Sequence, residues 1–202
     1  FKGGPDQAFD TTLAELAAAE ALSGNAAVGA TLRKAKRQVA LVTALADIAG
    51  QWPLETVTAH LSRFCDRALG VALRNLFRSA HEAGAIELPD LSHADQNCGL
   101  FVIGMGKLGA HELNYSSDID LIVLYDEEAV KTAAADKLQS TFMRLTRNMV
   151  RLMDERTGDG YVFRTDLRLR PDPGATPVAI STMAAETYYE SLGQNWERAA
   201  MI

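Results

Sequence analysis

The first half of the chain repeats apolar residues at the spacing of amphipathic helices. Residues 11–22 are rich in Ala, Leu and Glu, and apolar side chains recur every three or four positions from about 28 to 49. A third such stretch begins near Thr56, a residue type that caps helices, and ends at Gly84. The pattern predicts three helices, followed by a polar loop over 89–97. The apolar stripe of the third helix consists of Leu61, Phe64, Ala68, Ala72, Leu76 and Ala80.

After this loop the pattern changes to short apolar runs and alternating residues. Runs of four to eight apolar residues bounded by Gly or polar residues are typical of buried strands, and longer amphipathic stretches are typical of helices. The elements predicted after the loop are strands over 99–104, 118–125, 161–170 and 178–180, a helix over 133–154, and a helix that begins at Ser181–Thr182.

These elements predict an α+β fold, in which a small mixed sheet is flanked by helices and preceded by a large helical segment. We expect residues 1–98 to form that helical segment and to pack on the core of residues 99–182. Residues 183–202 are expected to begin a further helical segment. The chain starts at Phe1 and stops within a helical pattern, which predicts that it is a fragment of a longer protein.

Composition and charge narrow the possible partners. The chain has 202 residues, is 48% hydrophobic, and carries a net charge of −6. Nucleic-acid-binding domains usually carry a basic excess, so this charge argues against DNA or RNA as the partner. The sequence contains neither an apolar run of membrane-spanning length nor a signal peptide, which predicts no membrane partner. The two cysteines lack zinc-ligand spacing and are expected to be free thiols of a cytoplasmic protein.

Two carboxylates open the strand predicted over 118–125. Asp118 and Asp120 are two residues apart, so both side chains point to the same face of the strand. Adjacent carboxylates repel each other unless a cation neutralises them, and oxygen ligands of this kind suit Mg²⁺ or Mn²⁺. The alternative is a pair of solvated acids on an edge strand. The apolar run that follows Asp120 favours a metal site at one end of a core strand.

A third carboxylate lies on the strand predicted over 161–170. Asp166, Arg168 and Arg170 share one face of that strand if the alternation continues. Asp166 is a candidate third metal ligand, and arginine side chains bind phosphate oxygens through paired hydrogen bonds. An internal ion-pair ladder, in which the two arginines neutralise Asp166, is the alternative.

A glycine-rich turn, GMGKLG over 104–109, follows the first predicted strand. Its glycines permit close backbone approach, so the N–H groups of the turn are candidates for phosphate binding. The turn lacks the context of a dinucleotide-binding fingerprint, and no Ser or Thr follows Lys107 as a Walker A loop requires. A tight strand-to-helix turn without a ligand is the alternative.

Together these motifs resemble those of known nucleotidyltransferases. Gly106 and Lys107, then ten residues, then Asp118 and Asp120, then the later Asp166, are similar to the signature of the polymerase-beta nucleotidyltransferase superfamily. Lys107 stands where that superfamily usually has Ser. The longer strings GMGKLGAHELNYSSDIDLIVLYD, RTDLRLRPDPGATPVAIS and YYESLGQNWERAAMI resemble the glutamine synthetase adenylyltransferase family over about residues 99–202.

The resemblance implies a nucleotidyltransferase core over 99–182 that acts on glutamine synthetase in nitrogen regulation. Enzymes of this family carry two such domains, one that attaches AMP and one that removes it by phosphorolysis, giving ADP. The motif NYSSDIDL and the GQNWER segment near the end of the chain resemble those of the AMP-removing half. Asp118, Asp120 and Asp166 would then be catalytic and hold Mg²⁺ or Mn²⁺. The implied ligands and partners are a nucleotide such as ATP or ADP, inorganic phosphate, glutamine synthetase and the PII signal protein. The candidate nucleotide- and phosphate-binding residues are Gly106, Lys107, Ser116, Ser117, Arg168 and Arg170.

Two other functions are compatible with the resemblance. One is the adenylylating half of the same family, which transfers AMP from ATP to a tyrosine of glutamine synthetase. The other is a regulatory domain that keeps the fold without the chemistry. The intact set of Asp118, Asp120 and Asp166 argues against the second.

Overall fold

A computed structural model describes residues 3–130 and 137–200. The chain forms helices and a four-stranded sheet, which confirms the predicted α+β fold. In chain order the helices are α1 (Gly4–Ala18), α2 (Asn25–Ile48), α3 (Leu54–Glu82), α4 (Gly106–Gly109), α5 (Leu138–Asp154), α6 (Thr182–Ser191) and α7 (Asn195–Ala200), with a short 3₁₀ turn at Ala19–Ala21. The strands are β1 (Leu100–Met105), β2 (Ile119–Tyr125), β3 (Thr165–Asp166) and β4 (Ile180–Ser181).

The three helices predicted in the first half are present, with shifted ends. α3 begins at Leu54, so Thr56 lies inside its first turn, and the residue before the helix is Pro53 in extended conformation. Proline before or at the first turn is tolerated because the first N–H groups of a helix have no partner within it. Ser181 caps α6 as predicted, accepting a hydrogen bond from the N–H of Ala184. The start of the helix predicted over 133–154 lies partly outside the described residues.

The central strand of the sheet is β2. β1 pairs with it antiparallel along its whole length, from Leu100 opposite Tyr125 to Met105 opposite Asp120. On its other side β2 pairs in parallel with β3 near its start and with β4 near its end. The alternative that Asp118 and Asp120 lie on a solvated edge strand is therefore wrong.

The two faces of β2 have different surroundings. Ile119, Leu121, Val123 and Tyr125 are all buried, and the ring of Tyr125 stacks on Phe142 of α5 with centroids 4.9 Å apart. Asp120 points to the opposite face because side chains alternate along a strand. The apolar core thus covers one face of β2, and the carboxylate of Asp120 lies on the other, which also carries the buried Ile122.

The strand predicted over 161–170 is wrong in its extent, because β3 comprises only Thr165–Asp166. The backbone N–H of Arg168 donates a 2.8 Å hydrogen bond to Oδ1 of Asp166. An Asp side chain that accepts from the N–H two residues on forms a turn of its own, and this turn ends the strand. Asp166, Arg168 and Arg170 therefore do not form a row on one strand face.

A single apolar core connects the helical segment to the sheet. It includes Phe9 of α1, Leu32 of α2, Phe64 of α3, Leu121 of β2 and Phe142 of α5. Cys65 and Cys98 are both buried free thiols, as expected. Among the described helices, none combines the length and the apolar character that crossing a bilayer requires.

Candidate active site

The site lies where β2 and β3 run side by side. Asp120 of β2 is the direct register partner of Asp166 of β3. Neighbouring residues in paired strands project to the same side of the sheet, so the two carboxylates face the same space. Asp118 precedes β2 by one residue and is exposed. The structure therefore brings together the three carboxylates that the sequence selected, although their roles stay predictions.

The carboxylates interact electrostatically. Partial burial raises the pKa of Asp120, and the neighbouring charges of Asp166 and Asp118 raise it further, while Arg168 lowers it. Burial and like charges both disfavour the ionised form of a carboxyl group. The site therefore favours either a proton on Asp120 or a cation beside it.

Arg168 neutralises Asp166. Its Nε donates to both carboxylate oxygens of Asp166 at 3.0 and 2.8 Å, and its Nη2 donates to Oδ2 at 2.5 Å. These hydrogen bonds hold the pKa of Asp166 below its usual value. The alternative of an ion pair between these two residues is thus present in the structure. The Arg168 side chain is 83% exposed, so it remains accessible to a ligand.

Arg164 is a site residue that the sequence reasoning missed. Its Nε donates to Oδ1 of Asp118, and its Nη2 donates to the backbone carbonyl of Ser116 at 2.7 Å. Its own carbonyl accepts from the N–H of Ile119 at 2.9 Å. The signal was available, because Arg164 stands two residues before Asp166, as Arg168 stands two after it.

Gly106 lies directly over Asp120. It follows β1, has a φ of 54°, and begins α4. A Cβ at this position would lie 3.9 Å from Oδ2 of Asp120. Gly106 therefore forms a tight strand-to-helix turn beside Asp120, and phosphate binding by this turn stays a prediction. Lys107, the next residue, is exposed.

Arg170 is engaged elsewhere. Its guanidinium donates to the carbonyls of Leu167, Pro173, Thr176 and Pro177 at 2.8 to 3.3 Å. All three nitrogens of the side chain thus hold the loop that follows β3. These contacts give Arg170 a role in holding that loop, and its phosphate contact stays a prediction.

The loop before Asp118 carries the remaining predicted residues. Ser116 is exposed and Ser117 is partly buried, with the N–H of Ser117 donating to the carbonyl of Asn114 at 3.3 Å. The hydroxyl of Tyr115 in the same loop donates to Oδ2 of Asp47 at 2.9 Å. The serines lie next to the carboxylates, and their phosphate contacts stay predictions.

The three aspartates are suitable ligands for a divalent metal ion, but in this structure their oxygens do not surround a common point. Within residues 3–130 and 137–200, no three His, Cys, Asp or Glu side chains converge as a metal-binding group. Arginine groups occupy oxygens of both Asp118 and Asp166. Carboxylate oxygens are the ligands that Mg²⁺ and Mn²⁺ prefer, and the raised pKa of Asp120 is what a cation would relieve. The residues fit such an ion once the arginines move.

Comparisons with known proteins agree with these motifs. A family model described as glutamate-ammonia ligase adenylyltransferase matches residues 3–202. A protein of Brucella suis is 50% identical over 202 residues, which are 98% of this chain and 20% of that protein. A protein of Rhizobium meliloti is 52% identical over 185 residues, 92% of this chain and 19% of that protein. Both are named bifunctional glutamine synthetase adenylyltransferase/adenylyl-removing enzyme. The chain spans about a fifth of the length of these relatives.

Proposed function

The chain belongs to the glutamate-ammonia ligase adenylyltransferase family, and we propose that it carries the nucleotidyltransferase site that removes AMP from adenylylated glutamine synthetase. The reaction is a metal-dependent phosphorolysis of the bond between AMP and a tyrosine. Its products are ADP and unmodified glutamine synthetase.

The observation that carries the proposal is the register of Asp120 opposite Asp166, with Asp118 directly before the strand that contains Asp120. A phosphoryl transfer requires little covalent chemistry from the protein, which mainly positions the groups and stabilises charge. Three carboxylates under a glycine turn, with two guanidinium groups beside them, meet that requirement.

In the proposed reaction an oxygen of inorganic phosphate attacks the phosphorus of the AMP group. The new bond joins this oxygen to phosphorus, the bond from phosphorus to the tyrosine oxygen breaks, and the phenolate leaves and takes up a proton. Bound Mg²⁺ or Mn²⁺ would neutralise charge on the phosphoryl oxygens. Asp118, Asp120 and Asp166 would hold the ion. Lys107 and Arg168, both exposed, would bind phosphate oxygens.

The choice of the AMP-removing reaction rests on the amino-acid sequences of two motifs. Residues 114–121 have the sequence NYSSDIDL, and residues 193–198 have the sequence GQNWER. Both strings resemble the AMP-removing half of the family more than the AMP-attaching half. The same resemblance supports two further proposals, regulation by the PII signal protein and a cytoplasmic location.

The test is a release assay for ADP. The purified protein is mixed with adenylylated glutamine synthetase, Mg²⁺ and inorganic phosphate, and ADP is measured for the wild type and for Asp120→Asn. Asp159→Asn is the matched control, because Asp159 is an exposed carboxylate that pairs with Arg37 at 3.0 Å. We expect phosphate-dependent ADP release that Asp120→Asn abolishes and Asp159→Asn leaves intact.

Two other results would contradict the proposal. Transfer of AMP from ATP to unmodified glutamine synthetase, without ADP release from the adenylylated form, would assign the chain to the AMP-attaching half. Binding of glutamine synthetase with neither reaction would favour the regulatory domain.

A further inference from the structure

Two arginines bind the two carboxylates on either side of Asp120. Arg164 binds Asp118, and Arg168 binds Asp166. The central carboxylate, Asp120, experiences the charges of both neighbouring aspartates. The two guanidinium groups therefore supply the positive charge that a divalent cation would otherwise bring to the same oxygens.

We propose that Arg164 is an internal counter-ion that a divalent cation displaces from Asp118, and that the released guanidinium then binds the phosphoryl group. The inference rests on the proposed function, since it assumes that Asp118 is a metal ligand. It makes Arg164 a positioning residue for Asp118 in the unloaded site and a phosphate contact in the loaded one.

The exposure of the pair makes this exchange feasible. The side chains of Arg164 and Asp118 are 40% and 47% exposed, so water reaches both members of the pair. Exposed ion pairs contribute little to stability because water and salt screen them. A divalent ion shared by several carboxylates attracts Asp118 more strongly than one screened guanidinium does.

The second anchor of Arg164 keeps the released group at the site. Its Nη2 donates to the carbonyl of Ser116, one of the loop residues directly before Asp118. Its Nη1 also donates to the hydroxyl of Tyr161, at 3.4 Å. After displacement from Asp118 the guanidinium remains beside the carboxylates, and its Nε donor is released. Arg170 shows the contrast, because its donors are all taken by loop carbonyls.

Displacement couples the binding of metal and phosphate. When the metal ion binds Asp118, the guanidinium of Arg164 loses its carboxylate partner. A phosphate anion can then accept its hydrogen bonds and neutralise its charge. We therefore expect inorganic phosphate to bind more tightly when the metal is present, and by linkage the metal to bind more tightly when phosphate is present.

The test measures Mn²⁺ binding directly, by the loss of the free-ion signal in electron paramagnetic resonance. The wild type is compared with Arg164→Ala, and with Arg147→Ala as the matched control. Arg147 is an exposed arginine of α5, the helix that packs on the other face of the sheet. Removing a competing ion pair is expected to tighten Mn²⁺ binding by about two- to fivefold in Arg164→Ala. Arg147→Ala should bind Mn²⁺ as the wild type does.

Phosphate affinity in the presence of Mn²⁺ is measured on the same proteins by calorimetry. It is expected to weaken in Arg164→Ala, opposite in sign to the change in Mn²⁺ affinity. Arg164→Lys keeps the positive charge on a shorter side chain, and it provides a second test in case Arg164→Ala misfolds. Its affinity for Mn²⁺ should lie between those of the wild type and Arg164→Ala.

Weaker or unchanged Mn²⁺ binding in both Arg164 variants, with thermal unfolding like that of the wild type, would overturn the inference and leave the proposed function intact. Absence of Mn²⁺ binding by the wild type would overturn the inference together with the metal-dependent mechanism. Tighter Mn²⁺ binding with unchanged phosphate affinity would refute the phosphate contact.

Discussion

The hydroxyl of Tyr115 donates a 2.9 Å hydrogen bond to Oδ2 of Asp47. Tyr115 lies three residues before Asp118, whereas Asp47 lies in the last turn of α2. A second tether joins the N–H of Leu113 to Oγ of Ser62 in α3, at 3.1 Å. The helical segment therefore does more than cover the sheet, because it holds the loop that carries the first carboxylate.

Replacing Tyr115 by Phe is expected to reduce turnover more than stability. The hydrogen bond is partly exposed, so its loss should lower the free energy of unfolding by only about 1 kcal/mol. The loop before Asp118 loses its link to α2, and we expect kcat for ADP release to fall severalfold. Asp47→Asn should have a similar effect, and the double variant should be no worse than either single one, as a double-mutant cycle measures. Additive losses would show that the two side chains act separately.

The titration of Tyr115 gives an independent check on this bond. Burial, and then the hydrogen bond to the Asp47 carboxylate, raise the pKa of Tyr115 to about 12. Because the folded-state pKa is raised, the stabilisation is fully present below the unfolded value near 10 and is lost as the pH rises through about 12. Tyrosinate absorbance is compared between the wild type and Tyr115→Phe, which identifies the titration of this residue. In Asp47→Asn, Tyr115 should ionise at lower pH, and an unchanged titration would contradict the assignment.

Asp120→Asn is expected to abolish activity and to stabilise the metal-free protein near pH 7. Burial and the charges of Asp166 and Asp118 raise the pKa of Asp120, so the folded state favours its protonated form. The stabilisation from protonated Asp120 is fully present below the pKa of this residue in the unfolded chain. It is lost as the pH rises through its pKa in the folded protein. Asn removes the repulsion at neutral pH, and Tm should rise by less than about 3 °C, because partial exposure screens the charges.

The pH dependence of Tm provides the control for this variant. The advantage of Asp120→Asn should shrink as the pH is lowered, because the wild-type carboxyl then binds its proton. Mg²⁺ should raise Tm of the wild type at pH 7 and affect the variant less, since binding to the folded state stabilises it. A lower Tm for Asp120→Asn at pH 7 would mean that the ionised carboxylate is structurally required.

The carboxylates could be predicted from the sequence because they follow a local rule. Alternation along β2 places Asp120 opposite to the buried Leu121 and Val123, and the apolar run identifies the strand as central. The end of β3 followed no such rule. It depends on a hydrogen bond from the Arg168 N–H to the Asp166 side chain, which competes with strand hydrogen bonding. The alternation of apolar and polar residues continues past this point, so the sequence pattern does not indicate where the strand ends.

Contacts between distant parts of the chain were also beyond the sequence pattern. Asp47 and Tyr115 are 68 residues apart, and Arg164 and Asp118 are 46 apart. Periodicity reports which face of an element is buried, but it carries no information on which polar groups meet when elements pack. The missed partner of Asp118 and the loop contacts of Arg170 are both of this kind.

Arg168 and Arg170 are expected to differ sharply when each is replaced by Ala. Arg168 is almost fully exposed and binds only Asp166 among the contacts described, so Arg168→Ala should lower ADP release and lower Tm only slightly, through the carboxylate repulsion that it no longer offsets. Arg170→Ala removes donors to loop carbonyls and should lower the free energy of unfolding by about 2 kcal/mol, since hydrogen bonds from charged groups are stronger than neutral ones. Urea denaturation and the ADP assay on both variants check this division. Normal stability with lost activity in Arg170→Ala would instead support the predicted phosphate contact of Arg170.

Gly106→Ala is expected to weaken phosphate and metal binding through one added methyl group. The φ of Gly106 is 54°, a conformation that costs a residue with a Cβ about 1–3 kcal/mol. The methyl group would also lie 3.9 Å from Oδ2 of Asp120, in the space through which a ligand reaches the carboxylate. Gly158→Ala is the matched control, because its Cβ would meet no atom within 4 Å.

Mn²⁺ binding and ADP release should both be impaired in Gly106→Ala, whereas Gly158→Ala should match the wild type. A Gly106→Ala protein that is less stable but binds Mn²⁺ and phosphate normally would show that this glycine serves the turn alone, and the phosphate-binding role predicted for the turn would be wrong.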